Sequence, residues 1–202
     1  MTSPPIAAWL DDLAGRQPTP GGGGAAALAA ATSAALIGMV AKYTTGERYA
    51  SVEAEATAID AEATRIRGVA LELMDRDAEA FAAVGAAYAL PKEDPQRTER
   101  IQSGLAGAAE PPTRVTRAAI ELVELAARLE PIANRNVLSD VGVAASMAAA
   151  ALDSALINIE VNRALITDTN VRQALADEME AAGPARSRAA GIVSSVRGAI
   201  SG

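Results

Sequence analysis

The sequence predicts an all-α protein, an up-and-down bundle of long helices that pack through faces of small residues. Half of the 202 residues are hydrophobic, and alanine, the strongest helix former, dominates that fraction. Aromatic residues make up only 2% of the chain, so strand formers are sparse. Apolar residues also recur three and four positions apart over long stretches, which is the period of a helix. A chain of this length predicts one domain, residues 1–202.

The composition excludes several classes of function. The chain contains no cysteine and no histidine, which removes disulfides, thiolate nucleophiles, Ser-His catalysis and the usual zinc ligands. Acid/base chemistry therefore falls to Asp, Glu, Lys or Tyr. The net charge of −7, without a basic cluster, predicts that the protein does not bind nucleic acid. Residues 1–15 carry acids where a secretion signal carries bases, so they predict a short helix and a cytoplasmic protein.

The stretch PTPGGGGAAALAAATSAALIGMVAKYTTG, residues 18–46, has no charge between Pro20 and Lys42 and is long enough to span a bilayer. Glycine and alanine supply little transfer free energy, however, and favour close approach of backbones. No Lys-Ser/Thr pair follows the glycines and no strand precedes them, so they do not form a P-loop. The stretch predicts a central helix over about 22–44, buried on all sides and outside any membrane.

Residues 47–88 predict one long helix with a regular apolar stripe. The stripe contains Val52, Ala56, Ile59, Ala63, Ile66, Ala70, Leu73, Ala80, Val84 and Ala87. Asp77 occupies the remaining stripe position and is its only charged residue. Burial without a partner raises the pKa of a carboxyl group, which makes Asp77 a candidate acid/base. The alternatives are that Asp77 pairs with a buried arginine or caps another helix.

Three signals divide the second half of the chain into helices. The turn LPKEDP predicts a helix that begins at Pro95. Residues 113–129 predict an amphipathic helix, and a final helix is predicted to break near Gly183–Pro184 and to end at about residue 200. In the amphipathic helix, charged pairs are predicted one turn apart, Arg117 with Glu121 and Glu124 with Arg128.

A second small-residue helix is predicted within residues 133–162, after a polar loop. Ser139 is placed to cap this helix, with Asp140 in its first turn, where the helix dipole favours a negative charge. Asn158 and Asn162 lie one turn apart on one face. Their amides either satisfy each other and the backbone in a packed interface or bind a polar ligand.

Four blocks of the sequence resemble the cyclodeaminase/cyclohydrolase family over nearly the whole chain. They are the proline-glycine start of the first small-residue helix, DAEAF followed by LPK, ANRNVLSDVGVAA, and NIEVN, in the family's order. The resemblance implies an all-helical, dimeric, folate-binding fold. It also implies a tetrahydrofolate derivative as substrate, no separate cofactor, no metal, and a catalytic aspartate at Asp77.

The same resemblance implies a set of substrate-binding residues. Lys92, with Asn134 and Asn136, is expected to hold the pterin ring or the glutamate tail, because an acidic protein must place positive charge and amides locally to bind a polyanion. The glycine turn is expected to form one wall of a slot for a flat ring. The full set of expected binding residues is Pro20, Gly21, Gly22, Gly23, Lys92, Asn134, Asn136, Ser139, Asp140, Asn158 and Asn162.

The resemblance leaves the reaction open between two chemistries at the carbon that bridges N5 and N10. In a cyclohydrolase, water adds to a methenyl bridge and the ring opens. In a cyclodeaminase, N10 attacks a formimino carbon and ammonia leaves. Both need a group that gives and takes a proton. Because the chain carries no formimidoyltransferase domain, hydrolysis is favoured, and a non-catalytic helical dimer is the remaining alternative.

Overall fold

The all-α prediction is confirmed by the computed structural model, which describes residues 5–201 and contains no strand within them. The helices are α1 Ile6–Ala14, α2 Gly22–Lys42, α3 Glu53–Tyr88, α4 Arg97–Ala108, α5 Glu110–Leu129, α6 Leu138–Leu165, α7 Thr169–Ala181 and α8 Gly183–Ser201. Short 3₁₀ turns at Glu47–Tyr49 and Arg135–Val137 precede α3 and α6. The predicted break near Gly183–Pro184 is the boundary between α7 and α8.

Helix α2 is the central element, as its small residues predicted, but the prediction that it is buried on all sides is wrong, because Thr32 and Ala35 are exposed on one face. It contacts α3, α5 and α6, and Ala27, Ala30 and Ile37 are fully buried. In residues 5–201, α2 and the segment Arg135–Leu165 are both long and apolar enough to cross a membrane, with mean hydropathies of 1.8 and 1.5. Burial of α2 by three neighbouring helices accounts for its apolar composition, because a helix that is hydrophobic all round packs inside a protein.

Helices α3 and α6 both run antiparallel to α2. Asp60 of α3 lies against Gly38 near the end of α2, and a Cβ atom on Gly38 would come within 2.9 Å of its Oδ1 atom. On the other side of α2, the buried hydroxyl of Ser33 donates to the carbonyl oxygen of Ala144 in α6 at 2.8 Å. Glycine and alanine at these positions allow the backbones of α2, α3 and α6 to approach closely.

Two of the predicted helix starts are wrong. The helix predicted from residue 47 begins at Glu53, because Gly46 has a positive φ of 91° and the chain then forms a 3₁₀ turn. Helix α4 begins at Arg97, with Gln96 as its N-cap, so Pro95 precedes the helix.

The prediction that Ser139 caps α6 is also wrong. Helix α6 starts one residue earlier, at Leu138, and its N-cap residue Val137 makes no side-chain cap. The side chain of Asn134 instead accepts from the N–H of Asn136 at 3.0 Å, at the start of the 3₁₀ turn that precedes α6. The predicted place of Asp140 in the first turn of α6 is confirmed.

The charged residues of α5 for which pairs were predicted reach across to other helices, whereas Arg114 pairs with Glu110 within α5. Arg117 binds Glu178 of α7, and Arg128 binds Glu55 and Glu62 of α3 at 2.8 and 3.0 Å. The pairs predicted within α5 are therefore wrong. These side chains are partly exposed, so each ion pair stabilises the bundle by about 1 kcal/mol or less.

The apolar core has two parts. The larger cluster fills the space among α2, α3, α5, α6 and α8. The smaller cluster closes one end of the bundle and contains Ala87, Ile101, Leu105, Ala109, Ile159, Ile166 and Leu175. Because α3, α4 and α6 all end in this smaller cluster, its packing sets the positions of their last turns.

Candidate active site

A slot of about 240 Å³ opens at the end of the bundle where α2 begins and α4 and α6 end. A larger open groove of about 580 Å³ lies elsewhere along α3 and α4 and contains none of the predicted site residues. The residues that line the slot are Pro18, Thr19, Gly21, Gly22, Gly23, Asp77, Phe81, Val84, Tyr88, Leu105, Ala108, Asn158, Val161, Asn162 and Leu165.

The glycine run lets α3 place a carboxyl group against the first turn of α2. A Cβ atom on Gly23 would overlap the carboxyl group of Asp77, and even the farther oxygen, Oδ2, would be only 2.6 Å away. The N–H of Gly24 donates to this Oδ2 at 3.1 Å. Gly23 therefore has to be glycine so that Asp77 can reach an unpaired amide at the helix N-terminus.

The environment of Asp77 raises the pKa of its carboxyl group. The side chain is half-buried, and burial raises the pKa of its carboxyl group, while the hydrogen bond from the Gly24 amide opposes part of this shift. Within residues 5–201, Asp77 forms no ion pair with Lys or Arg. The alternative of a buried arginine partner is therefore wrong, whereas Asp77 does cap another helix, α2. This capping contact leaves the carboxyl group on the wall of the slot.

Both asparagines of α6 line the slot and also bond to the backbone. The side-chain nitrogen of Asn162 donates to the carbonyl oxygens of Ala108, at the end of α4, and of Asn158, at 3.1 and 3.0 Å. The side-chain nitrogen of Asn158 donates to Ser154 O at 2.8 Å. Of the two uses that the sequence left open, contact with the backbone is therefore confirmed, and binding of a polar ligand stays a prediction for side chains that line the slot.

The rest of the slot is apolar and partly open to solvent. Phe81 and Tyr88 of α3 are 51% and 45% exposed, and Val161 and Leu165 of α6 are 58% and 50% exposed. Large apolar side chains with this exposure at the mouth of a polar slot are typical of a binding site for a flat ring.

The structure brings only part of the predicted site together in one chain. Gly21, Gly22, Gly23, Asp77, Asn158 and Asn162 all line the slot. Pro20 directly precedes the glycines, and its ring lies beside Gly24. Lys92 is exposed on the turn that follows Tyr88, a residue that lines the slot.

The other four predicted residues, Asn134, Asn136, Ser139 and Asp140, lie near the opposite end of the bundle. The side-chain nitrogen of Asn134 donates to the carbonyl oxygen of Tyr43, just after α2 ends. The 21 residues of α2 span about 30 Å, so this loop is far from the slot of the same chain.

Sequence reasoning missed the two aromatic walls and the contribution of α4. Phe81 and Tyr88 lie off the apolar stripe of α3, where the helical period predicts a solvated face. Leu105 and Ala108 belong to a helix for which only a starting point was predicted. The one available signal was that the chain has so few aromatic residues and that two of them, Phe81 and Tyr88, lie on the helix that also carries Asp77.

The fold and the slot define a class of protein: an all-helical protein with a half-buried carboxyl group on the wall of a slot, in a sequence that contains no thiol and no imidazole. Within this class, the chain belongs to the formiminotransferase-cyclodeaminase family, whose profile matches residues 5–181.

Two known proteins show how close this relationship is. The chain is 38% identical, over 87% of its length and 86% of the relative's, to the methenyltetrahydrofolate cyclohydrolase of Methylorubrum extorquens strain AM1. Its structure is similar to the crystal structure of formiminotetrahydrofolate cyclodeaminase from Thermotoga maritima, with a TM-score of 0.85 and 28% identity. This match covers 96% of the chain and 94% of the other. The predicted family is therefore confirmed.

Replacing Gly23 by alanine tests whether the glycine serves the Asp77 contact. The new methyl group pushes the carboxyl group off the first turn of α2, and a displacement of about 1 Å at a catalytic group lowers turnover roughly 100-fold. The melting temperature stays near that of the wild type, because alanine favours the helix by about 1 kcal/mol over glycine. Steady-state kinetics and calorimetry on one preparation measure both quantities.

Gly68→Ala is the matched control, because Gly68 lies in α3 with open space where a Cβ atom would be. This variant keeps full turnover. Equal turnover in Gly23→Ala and Gly68→Ala contradicts the assigned role of Gly23.

Proposed function

We propose that the protein is a methenyltetrahydrofolate cyclohydrolase in which Asp77 is the general acid/base. The cyclohydrolase from M. extorquens, 38% identical over most of both chains, supports this choice of reaction. The observation that carries the mechanism is the position of Asp77: a half-buried carboxyl group without an ion-pair partner in residues 5–201, on the wall of a slot, with a raised pKa.

The proposed reaction uses one carboxyl group twice. Asp77, as carboxylate, accepts a proton from a water molecule whose oxygen adds to the carbon that bridges N5 and N10. Protonated Asp77 then donates to N5 as the bond between N5 and the bridge carbon breaks, while the new hydroxyl group loses its proton to solvent. The formyl group remains on N10, and one proton is released overall. No step of this proposed reaction uses a metal ion or a separate cofactor.

The shape of the slot supports a folate substrate. Its volume of about 240 Å³ accommodates a flat bicyclic ring between the aromatic wall of α3 and the amides of α6, with the bridge region at Asp77. The remainder of the substrate leaves through the open mouth toward solvent. Lys92, on the exposed turn after Tyr88, is then placed on the path of the negatively charged tail.

The alternative reaction is formimidoyltetrahydrofolate cyclodeamination. The observation that favours it is the fold similarity to the T. maritima cyclodeaminase at a TM-score of 0.85. The same carboxyl group serves this reaction by protonating the departing ammonia.

A spectrophotometric assay with both substrates decides between the reactions. The purified protein is mixed with 5,10-methenyltetrahydrofolate or with 5-formimidoyltetrahydrofolate, and methenyl absorbance and ammonia release are followed. Loss of the methenyl signal above the spontaneous rate supports hydrolysis, whereas methenyl formation with release of ammonia supports deamination. The absence of both reactions supports a helical dimer that has kept the fold without the activity.

Asp77→Asn is expected to lower turnover by roughly 10²- to 10⁴-fold without unfolding the protein, because asparagine accepts the Gly24 hydrogen bond but cannot exchange a proton.

The raised pKa of Asp77 means that folding favours the neutral carboxyl group. That stabilisation is complete below the unfolded-state pKa of Asp77 and is lost as pH rises through its folded-state pKa. Above this pH the variant is therefore at least as stable as the wild type. Turnover and melting temperature are measured on one preparation.

The pH profile provides an independent check of the same assignment. The wild type shows a rising limb in kcat/KM with an apparent pKa above the ordinary value of an aspartate, because the base form is required, and Asp77→Asn lacks this limb. Near-normal turnover of Asp77→Asn, or a loss of activity matched by unfolding, contradicts the role of Asp77 as general acid/base.

Lys92→Ala is expected to raise the KM for the substrate several-fold with little change in kcat or melting temperature, because an exposed cation near the mouth of the slot acts on binding of an anionic tail. The only other lysine, Lys42, lies at the far end of α2 and binds Asp60 at 2.5 Å. Lys42→Ala is therefore a matched control that keeps the KM unchanged. An unaltered KM in Lys92→Ala removes Lys92 from the site.

The proposed enzyme is a cytoplasmic homodimer that pairs through the outer face of α6. This face exposes Val143, Ile157, Val161 and Leu165, although α6 is apolar all round. Between the large residues lie Ser146, Ala150 and Ser154, four residues apart, which let two helices approach closely. When two copies of α6 pair in antiparallel orientation, the small residues at the centre of each face meet each other, and the large residues at one end pack against those at the other end of the second copy.

An antiparallel pair of α6 helices also bears on the four predicted residues that lie far from the slot. The helix is about 40 Å long, so a two-fold axis near Ala150 and Ser154 places Ser139 of one copy beside Leu165 of the other. The loop of Asn134, Asn136 and Asp140 would then approach the slot of the partner. Their role in binding stays a prediction that depends on this dimer.

Light scattering at micromolar concentration tests the dimer and is expected to give twice the mass of one chain. Ile157→Lys places a charge on the proposed dimer face, next to its centre, and is expected to give a monomer. Leu71→Lys changes an exposed residue of α3 and leaves the dimer intact. A monomeric wild type, or a wild-type protein that partitions into lipid vesicles, contradicts the proposed occupant of this face.

A further inference from the structure

The hydrogen bonds of the two slot asparagines determine which of their atoms face a ligand. Both partners of the Asn162 side-chain nitrogen, the carbonyl oxygens of Ala108 and Asn158, are acceptors. An acceptor requires a donor opposite it, so the NH₂ group must face these carbonyls. The side-chain oxygen of Asn162 is therefore the atom left for the slot.

Asn158 is held in a similar way by one bond. Its side-chain nitrogen donates to the carbonyl oxygen of Ser154, so its oxygen and its second N–H group are left for the slot. Its amide group lies beside Gly22, with the nitrogen and the oxygen 3.6 and 3.7 Å from the place of a Cβ atom on that residue. Gly22 adjoins Gly23, over which Asp77 lies, so Asn158 and Asp77 act on the same end of the slot.

The slot thus presents the side-chain oxygens of Asp77, Asn158 and Asn162 as acceptors, and its lining contains no cationic side chain. Among the residues that line it, none is Lys or Arg, and Asp77 is the only ionisable carboxyl. The aromatic faces of Phe81 and Tyr88 also attract a cation. The N-terminus of α2 contributes roughly half a positive charge, which the ionised carboxyl group of Asp77 offsets. The electrostatics of the slot therefore favour a flat ligand with a positive charge.

We propose that Asn158 and Asn162, together with Asp77, make the slot selective for the charge of the ligand's one-carbon bridge, so that a cationic bridge is held and an uncharged one is released. This inference rests on the proposed function. A methenyl bridge carries one positive charge shared over N5, carbon and N10, and its polarised C–H group is a donor to oxygen. Hydrolysis removes this charge, because a proton leaves as the ring opens. The end of the reaction therefore weakens binding and promotes release of the formyl product.

Two compounds with the same pterin and the same tail test this selectivity. The KM for cationic 5,10-methenyltetrahydrofolate is compared with the inhibition constant of 5-formyltetrahydrofolate, which is uncharged at the one-carbon group. The wild type is expected to favour the cation by tenfold or more. The double variant Asn158→Ala/Asn162→Ala is expected to lose roughly tenfold or more for the cation and less than about threefold for the uncharged compound. Asn170→Ala, an exposed asparagine of α7, changes neither value.

The outcomes separate this inference from the proposed function. If the wild type turns over neither folate, the proposed function fails, and calorimetric titration with the same two compounds still measures the charge preference. Equal affinity of the wild type for both compounds overturns the inference without any variant. A parallel loss for both compounds in the double variant also overturns it, because the asparagines then contribute shape alone. Circular dichroism checks the fold of each variant.

Discussion

The contact between the carboxyl group of Asp77 and the first turn of α2 is the constraint on which the functional end of the molecule depends. It requires that α2 and α3 approach until a carboxyl group lies over the backbone of Gly23, where any side chain would overlap it. The amide of Gly24 completes the contact. A half-buried carboxyl group is thereby held by a helix N-terminus instead of by a counter-ion. Burial raises the pKa of this carboxyl group, and no arginine or lysine in the described residues forms an ion pair that would lower it.

The same close approach explains the alanine-rich composition. Asp60 lies over Gly38 further along α2 as Asp77 lies over Gly23, and Ser33 reaches the backbone of α6. Larger residues on α2 would separate these helices and move the carboxyl group away from the slot. The small residues serve the geometry of the site as well as the packing of the core, since both depend on the distance between the helix axes.

The end of α4 links the smaller core cluster to the chemistry of the slot. Leu105 packs in that cluster, while Ala108, the last residue of α4, offers its carbonyl oxygen to Asn162. A carbonyl at a helix C-terminus lacks a partner within its own helix, and the asparagine supplies one. This bond turns the amide oxygen toward the slot. The packing of the smaller cluster thus fixes the position of the Ala108 carbonyl, and this carbonyl determines which atom of the Asn162 amide faces the slot.

Local pattern in the sequence determined the helices, the buried character of α2 and the place of Asp77 as the single charge on an apolar stripe, because helical period and residue size act within a few residues of one another. The tertiary structure decided what those residues meet. Arg117 and Arg128 bind other helices, not the neighbours one turn away. Phe81, off the stripe of α3, became a wall of the slot, and Asn134 lies at the opposite end from it. Contacts between segments far apart in the chain depend on distances and orientations that no local spacing encodes.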